Sequence, residues 1–215
     1  LGTSEIPINK ILGTRTSARS NAFAGNFMPL LPENTEFGAK WCKLYESHIR
    51  EGIREPIKVY EYLNRYFVQE GNKRVSVLRY LGAVGIEARV TRLIPKRDEN
   101  NKQISIYYEF LDFDRRAIFD NLWFSHRGGF TGLVNLVESW QQEHPENSTS
   151  TADLINSAFK SFRLCYREAG FASIPITSGD AFLEYLKVYG FKPDRNLDTI
   201  RDQVKSCEAQ FKLVS

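Results

Sequence analysis

Tyr66-Phe67-Val68-Gln69-Glu70-Gly71-Asn72-Lys73-Arg74-Val75-Ser76-Val77-Leu78-Arg79-Tyr80-Leu81-Gly82 changes its period in the middle, and that change decides the fold. Tyr66 to Gln69 alternate and are rich in aromatic and β-favouring residues, as in a short strand. Gly71 breaks the alternation, and from Lys73 the apolar spacing is helical, with Val75, Leu78 and Leu81 on one face and Gly82 placed for a left-handed C′ residue. The unit reads as strand, tight turn, helix. Lys73 and Arg74 fall in the first helical turn, where unpaired N–H groups and the macrodipole already supply positive charge, so each cation is worse placed by about 0.3–1 kcal/mol. A phosphate held by the turn amides, Lys73 and Arg74 satisfies donors and charge together, whereas Glu70 supplies only part of that compensation.

Upstream, Ile57 to Tyr62 alternates as a strand and Asn64 marks a turn, so a β-hairpin leads into this unit. Before the hairpin, Phe37, Trp41, Leu44, Tyr45 and His48 recur at helical spacing over 36–49, and Gly52 ends that helix. Glu5 to Ile11 alternates as a first strand, followed by an Arg-, Ser- and Asn-rich loop from Thr14 to Phe27. Arg15, Arg19 and Asn21 in this loop are candidate phosphate ligands, although a solvated surface loop has the same composition. Downstream, Ile86 to Leu93 reads as a strand, Lys96 to Gln103 as a polar loop, and Ile104 to Phe110 as one more strand. After Asp114 the pattern is helical: Thr151 is a candidate N-cap, Thr177 with Asp180 a candidate capping box, and Asp194 or Asn196 the start of one last helix running to Phe211. The expectation is an α+β fold, with a small mixed-sheet domain over 1–112 and a helical domain over 113–215.

Composition bounds the function classes. Hydrophobic residues at 42% and charged residues at 26% exclude disorder, and no apolar run approaches the ~20 residues of a membrane span. The net charge of +3 falls below that of a dedicated nucleic-acid binder. Cys42, Cys165 and Cys207 are odd in number and widely spaced, which fits a reducing, cytoplasmic setting, with Cys165 and Cys207 read as small buried hydrophobes. The three His residues stand at no metal-ligand spacing, so no structural zinc is expected. Leu1-Gly2-Thr3 has no signal-peptide features, and the chain is read as a piece of a longer protein.

Three ordered blocks carry a resemblance to the ParB/sulfiredoxin-like superfamily: Glu5 to Ile11; Tyr45-Glu46-Ser47-His48-Ile49-Arg50-Glu51-Gly52-Ile53-Arg54-Glu55-Pro56-Ile57-Lys58-Val59; and Tyr66 to Leu81 with Gly71-Asn72-Lys73-Arg74 as its G-x-x-R turn. The resemblance covers roughly Ile6 to Leu93. It implies a fold that binds a nucleotide, CTP or ATP, with phosphate at the G-x-x-R turn and Mg²⁺ bridging the phosphates. Asn72 stands where sulfiredoxins have their Cys and partition proteins a Glu, which counts against reductase chemistry and against that form of CTP hydrolysis. The leading expectation is a regulatory nucleotide-binding module, with a further domain of the same chain and DNA as partners it implies. The alternatives are a DNA-binding regulator using the helical half, and a phosphotransferase with Glu70, Glu55 or Glu51 as general base.

Overall fold

The computed structural model describes residues 2–15, 21–52, 55–115 and 122–214. Contacts divide the chain into two units, Leu1–Lys96 and Arg97–Ser215. The first holds strands β1 (Thr3–Pro7), β2 (Ile11–Thr14), β3 (Ile57–Tyr62), β4 (Arg65–Glu70) and β5 (Gly85–Arg92), with helices α1 (Glu36–Glu51) and α2 (Asn72–Tyr80). Its sheet order is β1-β5-β3-β4-β2, with β3·β5 and β2·β4 parallel and the other pairs antiparallel.

The two edge strands are consecutive in sequence, joined only by the 3-10 turn Ile8–Lys10. Four strand spacings cover about 19 Å, whereas the Pro7-to-Ile11 link reaches at most about 14 Å. The sheet therefore curls, and Ile6, Ile8 and Ile11 are drawn into the core that it encloses. Ile57 and Val59 on β3, Val68 on β4, and Ile86, Ala88 and Val90 on β5 face the same core, where Val75 and Leu78 of α2 pack. Lys58, Tyr60 and Tyr62 alternate onto the outer face.

The β3–β4 hairpin turns at Leu63 and Asn64, both at positive φ (50° and 61°), as a two-residue primed turn requires. Glu61, 2% exposed, holds that turn by accepting from the Asn64 amide at 2.7 Å and pairing with Arg92 Nε at 2.8 Å. At the end of α2, Gly82 (φ 72°) donates to Arg79 O and Ala83 to Leu78 O, the paired bonds of a Schellman motif. The left-handed glycine expected at this position is present.

The second unit is helical: α3 (Lys102–Asp114), α4 (Gly129–Glu143), α5 (Thr151–Glu168), α6 (Ser178–Tyr189), α7 (Leu197–Ser206) and α8 (Glu208–Leu213). The strand expected over Ile104 to Phe110 is corrected to helix. Asn101 caps α3 by accepting from Gln103 and Ile104 amides, and burial of Ile106, Tyr107, Phe110, Leu111 and Phe113 follows a helical stripe. The α+β character thus ends at Lys96 in this division, and the residues up to 112 pack with the helical unit.

Ser150 rather than Thr151 caps α5, Thr177 and Asp180 form the capping box of α6, and Asn196 caps α7. The single last helix expected to run through Phe211 is instead divided at Cys207. Cys165 and Cys207 are buried, and burial raises both thiol pKa values; Cys42 is exposed. No described helix is long and apolar enough to cross a membrane.

Candidate functional site

The Gly71 turn joins the end of β4 to the start of α2. Gly71 adopts φ 104° and ψ 21°, and a Cβ there would stand 2.5 Å from Ile57 Cγ2, so the position admits only glycine without displacement of the core. As N-cap it has no side chain to offer, and α2 has no acidic residue in its first turn. Five other described helices have a Thr, Asn or Ser side chain accepting at their start. The positive end of α2 is therefore left for an acceptor that the cap does not provide.

Asn72 opens α2 and is 7% exposed, with a buried Oδ1 that has no hydrogen-bond partner among the described residues. An orphaned buried acceptor of this kind costs about 1–3 kcal/mol. Rotating the amide by half a turn exchanges Oδ1 for Nδ2, so the buried position carries either an acceptor or a donor. The residues present at the turn thus fit an anionic ligand: amides without a cap, an amide side chain of either polarity, and a cation.

Lys73 supplies that cation. Its Nζ lies 4.5 Å from the centre of the Phe37 ring at the start of α1, and its charge helps lower the Glu36 pKa, which is set first by the hydrogen bond from Lys40. Arg74 is used differently. Its Nη1 donates to Glu55 O and Pro56 O, both at 2.8 Å, and Nη2 meets the Glu55 carboxylate at 3.3 Å. The guanidinium fork thereby fastens the lead-in to β3 beneath α2.

Glu70 pairs with Lys58 across the β3–β4 ladder at 2.6 Å, and this hydrogen bond lowers its pKa from 4.5. A carboxylate made less basic by a lysine is poorly placed for general-base work at neutral pH. Glu55 is held by Arg74, and Glu51 is exposed at the end of α1.

Arg15 follows β2, whose parallel pairing with β4 places it at the same end of the sheet as Gly71; its amide donates to Val68 O. Its guanidinium lies over the Tyr60 ring at 4.3 Å, on the outer sheet face. Asn21 is exposed, and Arg19 lies outside the described residues. The structure therefore gathers Gly71, Asn72, Lys73 and Arg74 at one turn with Glu55 and Glu70 beside it, and turns Arg15 onto the neighbouring face.

Two supporting residues escaped sequence reasoning. Arg79 donates to Ile8 O at 2.9 Å and to Ile11 O at 2.5 Å, stacks on Phe27 at 5.0 Å, and has its pKa lowered by burial. It pins the 3-10 corner to α2. Trp41 Nε1 donates to the fully buried Ser76 Oγ at 2.8 Å and ties α1 to α2. A cation and a hydroxyl on the buried side of a short helix were the available signals, since each needs a partner when desolvated.

No family model matches the chain, and no curated protein sequence matches it. Among solved structures, it is similar to sulfiredoxin from Arabidopsis thaliana, with 23% identity and a TM-score of 0.31 over 42% of this chain and 85% of that one. It is also similar to the C-terminally truncated chromosome-partitioning protein ParB from Caulobacter crescentus, complexed with CTP-gamma-S, with 14% identity and a TM-score of 0.32 over 98% of this chain and 99% of that one.

Proposed function

We propose that the first unit is a nucleotide-binding module whose phosphate site is the Gly71 turn and the first turn of α2, and that it plays a regulatory part. One observation carries this reading. The start of α2 has a left-handed glycine in place of a capping side chain, no first-turn acid, and a following lysine. Such a start is stabilised by an anion through both the first-turn amides and the macrodipole. The first-turn amides and Lys73 bind the phosphates, the Asn72 amide orients them, and Arg15 approaches from the adjacent sheet end.

Arg74 shapes this site by holding the Glu55-Pro56 backbone against α2. Bound Mg²⁺ would supply charge neutralisation between phosphates. The sequence resemblance to the ParB/sulfiredoxin-like superfamily points to CTP or ATP as the ligand.

A thermal-denaturation panel with CTP, ATP, ADP and GTP in the presence of Mg²⁺ tests the proposal. Binding at a ligand concentration of about 100 Kd adds about 2.7 kcal/mol of stability. At least one triphosphate is expected to raise the melting temperature by several degrees, and Lys73→Gln to abolish most of that rise while leaving the unliganded protein as stable as before. No rise with any of the four nucleotides overturns the reading.

A further inference from the structure

The outer face of the sheet is the other feature that combines charge and aromatic surface, and its side chains share only Arg15 with the phosphate site proposed above. Strand alternation places Tyr60 and Tyr62 of β3 outward, against the buried Ile57, Val59 and Glu61. Register pairs Tyr60 with Phe67 and Tyr62 with Arg65 on β4, and sets Lys58 beside Arg89 of β5. Tyr62 is 38% exposed, Tyr60 and Phe67 are half-buried, and Arg15, Arg65 and Arg89 are exposed.

Charge is unevenly spread over this face. Lys58 is matched by Glu70, and the acids Glu5 and Glu87 stand opposite each other at the β1 side. Positive charge is carried by Arg15, Arg65 and Arg89 around the three rings. The Arg15 guanidinium carbon lies 4.3 Å from the centre of the Tyr60 ring, a cation–π contact, so a cation already covers one face of that ring. Tyr60 and Tyr62 are two residues apart, about 6.6 Å along the strand, and Tyr60 and Phe67 are neighbours across it.

We propose that this face binds single-stranded nucleic acid, with bases stacked on Tyr62, Phe67 and the Arg15–Tyr60 pair and phosphates neutralised by Arg65 and Arg89. Aromatic rings on a sheet surface serve splayed, unpaired bases, because every base has a π-face and a duplex conceals it. The flanking arginines complement the backbone charge and themselves offer stacking planes. Arg15 is shared with the phosphate site proposed at the Gly71 turn, whereas Tyr62, Phe67, Arg65 and Arg89 take no part in it.

Fluorescence anisotropy with the full chain and fluorescein-labelled dodecamers tests it, using oligo-dT, oligo-U and a duplex of mixed sequence. Single strands are expected to bind at least tenfold more tightly than duplex, and comparison of the dT and U arms tells whether DNA or RNA is preferred. With two to four phosphates neutralised, log affinity against log salt between about 50 and 200 mM falls with a slope of about −1.4 to −2.8. The double variant Arg65→Glu/Arg89→Glu is expected to weaken binding at least tenfold, and the exposed Tyr62→Ala fivefold or more, both with an unchanged melting temperature. Lys73→Gln leaves it unaltered. Absence of binding at the lowest salt, equal binding to duplex, or unchanged affinity in both folded variants overturns the proposal.

Discussion

Helices α2 and α4 both begin on a left-handed glycine, Gly71 at φ 104° and Gly128 at φ 80°, and neither glycine offers a side chain to the first turn. At α4 the chain brings in its own anion: both Glu109 carboxylate oxygens accept from the Gly128 amide, at 2.9 and 2.8 Å. At α2 Glu70 pairs with Lys58 and Glu55 with the side chain of Arg74, and a lysine stands in the first turn. One helix start is completed by an internal carboxylate, and the proposed function has the other completed by a phosphate. The same backbone device is thus closed within the protein in one unit and, under the proposed function, open to a ligand in the other.

The glycines themselves give the largest expected difference. A Cβ at Gly71 meets Ile57 at 2.5 Å, while nothing lies within 4 Å of one at Gly128. Gly71→Ala carries both left-handed strain and overpacking and is expected to cost about 3 kcal/mol; Gly128→Ala carries the strain alone, about 1 kcal/mol. Urea denaturation of the two variants measures the gap, and equal costs would break the comparison.

Next come the groups that stand beside each start. Arg74→Ala leaves the Glu55 and Pro56 carbonyls without their donor and is expected to cost about 2 kcal/mol in the unliganded protein. Glu109→Ala removes the internal anion from α4 and is expected to cost about 1 kcal/mol. If Arg74→Ala left stability untouched and acted only on nucleotide binding, its assignment as an anchor would be wrong.

The smallest effect is on pH dependence. The Glu70 pKa in the folded chain is depressed by Lys58, so its contribution is present above the ordinary value of 4.5 and is lost as pH falls through the lower folded value. The pair is exposed, so the loss is modest and screened by salt. Denaturation of Glu70→Gln across the acid range is expected to show a flatter pH profile than the parent, with the difference vanishing in high salt.

The parts of this contrast that lay open in the sequence are those set by local chemistry. Alternation over 57–62 and 66–69, Asn64 at the turn, Gly71 at the break and Gly82 at the helix end each act within a few residues, and each stands where the pattern placed it. Ile104 to Phe110 misled because Ile-Ser-Ile-Tyr-Tyr alternates with β-favouring residues. The Asn101 cap and the packing of Tyr107, Phe110 and Phe113 decide for helix, and that packing depends on partners far along the chain.

At the site, Gly71 and Lys73 were legible because helix electrostatics is local. The use of Arg74 was not, since its two carbonyl partners lie 19 and 18 residues away. Nor was the unpartnered Asn72 oxygen, because burial of a polar atom is known only once the core is assembled.

Amide chemical shifts in a ¹⁵N-labelled sample titrated with Mg·CTP and Mg·ATP compare the two helix starts in one experiment. The account predicts saturable shifts of the Gly71 to Arg74 amides with at least one nucleotide, while Gly129 to Thr131 behind the Glu109-capped start stay still. Unmoved amides at 71–74, or shifts of equal size at both starts, would contradict it.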